Sequence, residues 1–61
     1  MQSLIKQACA LNNYEQLKNY GVIVRPDIIN PKKAIVKYDG REFSIPNEPT
    51  SIENCLLELF Q

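Results

Sequence analysis

Residues 33–46 read KAIVKYDGREFSIP. Apolar and polar residues alternate on both sides of Asp39-Gly40. That dipeptide suits a two-residue type I′ hairpin turn, which needs positive φ at both central positions. With those two residues as the loop, Tyr38 faces Arg41, Lys37 faces Glu42, Val36 faces Phe43, Ile35 faces Ser44 and Ala34 faces Ile45. One side of the hairpin then carries Ala34, Val36, Tyr38, Phe43 and Ile45. The other carries Ile35, Lys37, Glu42 and Ser44, with Lys37 and Glu42 as a cross-strand charge pair. A slip of one residue would mix the two sides, so the register is well specified. The first side is expected to be core and the second mostly wet.

Working back from the hairpin, VIVRP predicts a short strand over residues 22–25, ended by Pro26, which has no N–H for a ladder. Residues 27–33, DIINPKK, read as a connection with a turn at Asn30-Pro31. Gly21 suits the left-handed position just past a helix, with Leu17 and Val22 as the apolar contact of a Schellman motif. The short helix it ends covers residues 14–20, with Asn12 or Asn13 as its N-cap. An earlier helix over residues 3–11 carries Leu4, Ile5, Ala8 and Leu11 at helical spacing. After the hairpin, Thr50 and Glu53 have capping-box spacing. They predict a last helix over 51–60, with Ile52, Cys55, Leu56, Leu59 and Phe60 as its stripe and Leu57 beside it.

The fold class expected is α+β: a single domain over residues 1–61, with a small three-stranded, mostly antiparallel sheet. N-terminal and C-terminal helices pack on one of its faces. The order helix–strand–hairpin–helix, with LKNYGVIV at 17–24 and DGREFSIP at 39–46, resembles that of HicA-type toxins. The resemblance implies a double-stranded-RNA-binding-like sheet with helices on one side. It does not carry the activity across. Those enzymes use a His beside the second strand, where this chain reads NPKKAIV, and the first dozen residues have no counterpart.

Composition narrows the chemistry. There is no His, and the two cysteines, Cys9 and Cys55, are far apart with no C-x-x-C pairing, so neither a metal nor any other cofactor is expected. A Cys9–Cys55 disulfide is possible on paper. The simpler reading is two free thiols packed as small apolar groups. The usual base for a nucleophile is missing, the acids are scattered over outer faces and turns, and both glycines sit in turns. An enzyme is therefore not expected. No apolar run approaches the ~20 residues of a membrane span, and no secretory signal is read, so the expected setting is the cytoplasm, with no membrane partner.

Seven Lys and Arg balance seven Asp and Glu. The charges are unevenly placed. Arg25, Lys32, Lys33, Lys37 and Arg41 make the middle basic, and the acids Glu42, Glu48, Glu53 and Glu58 follow without a base. Lys32, Lys33, Lys37 and Arg41 are the candidate nucleic-acid contacts, the alternative reading of the hairpin. Ile28, Ile29, Ile35 and Leu57 find no comfortable place inside and are the candidate protein-interaction residues. A chain of 61 residues buries a thin core, so a second subunit would help it. The leading expectation is a non-enzymatic regulator, inhibitor or adaptor that binds a protein partner and forms a homodimer, through the last helix, the first strand's edge, or both.

Gly40→Val should disrupt the hairpin, because a β-branched residue resists positive φ. Circular dichroism and thermal melting check this; an unaltered melt would mean that the turn is not type I′.

Overall fold

The computed structural model of the protein describes residues 2–60. It contains helix α1 (Gln2–Leu11), a 3-10 helix (Glu15–Tyr20), strands β1 (Val22–Pro26), β2 (Lys33–Tyr38) and β3 (Arg41–Pro46), and helix α2 (Pro49–Leu59). The strands form one antiparallel sheet in the order β1-β2-β3. This is a small α+β fold with an open sheet.

The hairpin has the register its alternation dictates. Tyr38 pairs with Arg41, Lys37 with Glu42, Val36 with Phe43, Ile35 with Ser44 and Ala34 with Ile45. Asp39 and Gly40 have φ of 53° and 74°, both in the left-handed region that a type I′ turn requires. β1 joins the other side of β2, with Val24 opposite Val36 and Pro26 opposite Ala34. The inner face of β2 is sealed: Ala34 is 1% exposed and Val36 is fully buried. Ile5, Ala8 and Cys9 of α1, Leu17 of the 3-10 helix, Val22, and Ile52 and Leu56 of α2 complete the core. At the hairpin end of the sheet, the rings of Tyr38 and Phe60 meet at 4.7 Å between centroids, tilted by 57°. Such tilted packing suits the quadrupoles of both rings.

Both asparagines between the first two helices act, in different ways. Asn12 takes φ of 52°, and the N–H groups of Asn12 and Asn13 donate to the carbonyls of Cys9 and Ala8. This pair of bonds is a Schellman motif closing α1, with Asn12 in the left-handed position usually held by Gly. Asn12 is thus a C-terminal cap of α1 and not an N-cap. Asn13 Oδ1 accepts the Glu15 N–H at 3.1 Å and so helps to start the following turn. That segment winds as a 3-10 helix, the tighter form used in short pieces. Gly21 then ends it at φ 80°, donating to the carbonyls of Leu17 and Lys18.

Two local expectations are corrected. α2 begins at Pro49, and Glu48, extended at φ −134° and ψ 140°, is its N-cap without a side-chain cap bond. The capping box at Thr50 is not used. Proline at the first helical position loses no hydrogen bond and presets φ, and it holds the preceding residue extended. Leu11, expected on one apolar face with Leu4, Ile5 and Ala8, is instead 67% exposed. The buried stripe of α1 is Ile5, Ala8 and Cys9, and at 3.6 residues per turn Leu11 lies about a third of a turn away from Ile5.

Gly21→Ala should destabilise the protein by about 1 kcal/mol. The space around Gly21 is open, so the cost is one of backbone conformation alone. Urea unfolding measures it, and an unchanged midpoint would contradict the role given to this glycine.

Candidate functional site

The most exposed apolar residues of the described chain lie together in the β1–β2 connection. Ile28 and Ile29 are 90% and 94% exposed. Singly exposed apolar residues are ordinary, but two adjacent and almost bare isoleucines are not. Their loop is tied at many points. Asp27 Oδ1 accepts the N–H groups of Ile29 at 2.9 Å and Asn30 at 3.4 Å. Asn30 Oδ1 accepts the Lys32 N–H at 3.1 Å, and the Asn30 carbonyl accepts the Lys33 N–H at 2.9 Å. The base is closed by the Asp27 N–H on the Lys33 carbonyl. From the other side, Asn47 donates its backbone N–H to Lys32 and its side-chain amide to Pro31. Asp27, Asn30 and Pro31 supply the turn chemistry that permits this path, since short polar side chains can replace backbone partners. The loop therefore presents the two isoleucines on a braced frame.

The other two apolar candidates lie elsewhere. Ile35 sits on the outer face of the sheet yet is only 7% exposed. Its strand is the central one, with Arg25 opposite on β1 and Ser44 opposite on β3. Neighbouring strands shield it from both sides, and a long side chain such as Arg25 can cover apolar surface with its stem. Ile35 offers little surface for contact, contrary to the expectation. Leu57 is half-buried and packs against the core.

The four basic candidates do not converge. Lys33 and Lys37 lie on the outer sheet face, about four residues or ~13 Å apart along β2. Lys37 Nζ is 3.4 Å from Glu42 Oε2. Arg41 belongs to the opposite face, with its guanidinium 5.8 Å from the centre of the Phe43 ring. Lys32 is exposed in the loop.

The structure also shows a feature that sequence reasoning missed. Phe43 and Ile45, read as fully covered wall, are only half-buried. With Arg41 they line an open groove of about 520 Å³ between β3 and the Ser51, Asn54, Cys55, Glu58 and Leu59 side of α2. The alternation marked the face of the strand. How far α2 covers that face depends on tertiary packing, which no local pattern reports.

Neither cysteine is bonded to the other; both are free thiols. Burial, with the Glu53 carboxylate adding to it, pushes the Cys9 thiol above its ordinary range. Burial and Glu58 do the same to Cys55. Such thiols are poor nucleophiles. The Tyr14 hydroxyl is buried without a hydrogen-bond partner. Burial raises its pKa, and the nearby Cys9 contributes. Cys9 and Tyr14 lie close enough to influence each other, and sulfur is only a weak acceptor for the hydroxyl. Among the described residues, no three Cys, Asp or Glu side chains gather at metal-binding spacing, and no helix is long and apolar enough to cross a membrane.

No protein-family model, no curated protein and no solved structure matches the chain. The likeness to HicA-type toxins thus stays one of element order and turn residues.

All three raised groups are held neutral by the fold, so each contributes stability below its ordinary pKa. That contribution is lost as pH rises through the ordinary range towards the folded value. Urea midpoints should be level around neutral pH and fall through the alkaline range, and a Cys9→Ala/Cys55→Ala variant should show a shallower fall. An equally steep fall in that variant would contradict the assignment to the thiols.

Proposed function

We propose that the protein acts by binding another protein, as a small non-enzymatic regulator, inhibitor or adaptor that also self-associates. The observation that carries this reading is the Ile28–Ile29 tip, almost fully exposed on a loop braced by Asp27, Asn30 and Asn47. A rigid apolar anchor loses little conformational freedom on docking, which is how preorganised contacts gain affinity. The bracing also argues against a merely tolerated loop, because it spends three side chains on holding an exposed apolar pair in place.

A nucleic-acid reading has less to stand on. Phosphate binding needs cations gathered on one surface. Here Lys37 is occupied by Glu42, and Arg41 is on the other face of the sheet from Lys33 and Lys37. The formal net charge is zero.

The test is an Ile28→Ser/Ile29→Ser double variant. It should keep the wild-type thermal stability, since neither side chain is buried, and lose at least tenfold in affinity for a partner retained from host extract. Unchanged retention would remove the tip from the binding surface. The same complex should weaken little between low and high salt. A steep fall with salt, removed by Lys32→Ala/Lys33→Ala, would favour nucleic acid instead.

A further inference from the structure

The sheet has two edges, and hydrogen-bond phase shows what each can offer. The Asn47 N–H bonds the Lys32 carbonyl, and the Asp27 N–H bonds the Lys33 carbonyl. Even-numbered residues of β2 therefore bond to β3 and odd-numbered ones to β1, as a two-residue hairpin requires. By the same alternation, Val22, Val24 and Pro26 point their main-chain groups out of β1, and Glu42, Ser44 and Pro46 point theirs out of β3. Both prolines fall at outward positions, where the missing N–H costs no ladder bond.

The two edges differ in their surroundings. Residues 12–15 and 18 share one cleft with Ile23, Val24 and Arg25, so the β1 edge has chain beside it. The β3 edge opens onto the groove under α2, and Glu42 and Ser44 are exposed. A strand added to β3 would gain main-chain bonds and place alternate side chains in that groove, the mode known as β-augmentation.

We infer that the occupant is β3 of a second copy of this chain, paired antiparallel about a two-fold axis at Ser44. The inference rests on the self-association in the reading above and gives it a surface. The strand is complementary to itself in this register. The two Ser44 residues exchange N–H and carbonyl bonds at the axis. The Glu42 N–H on each side meets the Pro46 carbonyl of the other copy, which has a lone pair beyond its bond to the Glu48 N–H. Phe43 comes opposite Ile45 of the second copy, so the two half-buried apolar pairs cover each other and fill both grooves. Arg41 comes opposite Asn47 and beside Glu48 of the second copy; neither Arg41 nor Glu48 is in an ion pair within the described chain. The product is a continuous six-stranded sheet with the order β1-β2-β3-β3-β2-β1, and closed two-fold symmetry is the commonest form of assembly. It also removes the more open edge, which would otherwise invite unspecific strand pairing.

Two variants test this with the full chain. In a Cys55→Ala background, Ser44→Cys places two thiols at the axis, where Cα atoms of a bonded antiparallel pair lie ~5.5 Å apart, within disulfide range. Mild oxidation at micromolar protein should convert most of Ser44→Cys to a covalent dimer, and leave an Ile23→Cys control on β1 monomeric. Ser44→Pro removes the outward N–H at a position of the same phase as Pro46. It should keep the folded circular dichroism spectrum and sediment as a monomer where the wild type sediments as a dimer. A wild-type monomer mass across the range overturns the inference. So does a dimer that survives Ser44→Pro and does not cross-link through Ser44→Cys. If Ile28→Ser/Ile29→Ser dissociates that dimer instead, the binding role of the tip stands and the β3 pairing falls.

Discussion

The fold depends on burying the inner face of β2. Ala34 and Val36 of the central strand belong to the core cluster with Ile5 and Ala8 of α1 and Ile52 and Leu56 of α2, and they are 1% and 0% exposed. Register is what makes this possible. The paired left-handed residues Asp39 and Gly40 fix where β3 begins, and every pairing that follows keeps Phe43 and Ile45 on the same side as Val36. Had the turn slipped by one residue, Glu42 and Ser44 would share the face of Val36 and Ala34 in place of Phe43 and Ile45. A buried, unpaired Glu42 would then oppose folding with a cost larger than any surface charge pair could offset.

Around that wall, a chain of 61 residues has little material for a second layer. α1 contributes Ile5, Ala8 and Cys9, α2 contributes Ile52 and Leu56, and the 3-10 helix contributes Leu17. This covers β2 and leaves part of β3 open. The groove beside Phe43 and Ile45 follows from having only two helices to lay over three strands. It is the surface that the proposed pairing of two copies would cover. The exposed Ile28 and Ile29 have a different origin. Nothing in the core needs them, and their loop is held by polar side chains and not by packing.

Much of the fold was legible in the sequence, because it rests on local codes. Alternation about Asp39-Gly40 specified five cross-strand pairs, and Gly21 marked the end of a helix by its need for positive φ. The misreadings arose where two local codes compete, or where coverage is set at a distance. Thr50 and Glu53 spell a capping box, but Pro49 satisfies the helix start earlier and more cheaply. Asn12 can cap either end of a helix, and its left-handed φ serves the preceding one. Ile35 reads as exposed by alternation and is covered by its place in the central strand. Of the candidate site, the Ile28–Ile29 pair was visible as surplus apolar sequence. The groove was not, because it depends on where α2 lies.

A preorganised anchor requires that the backbone carrying Ile28 and Ile29 be rigid. Backbone ¹⁵N relaxation reads this directly, since order parameters near 0.85 mark rigid backbone and values below 0.6 mark flexible backbone. The amides of Ile29 and Asn30, both held by Asp27, should give values close to those of β2. Values below 0.6 at those two positions, with β2 remaining rigid, would contradict a preorganised anchor.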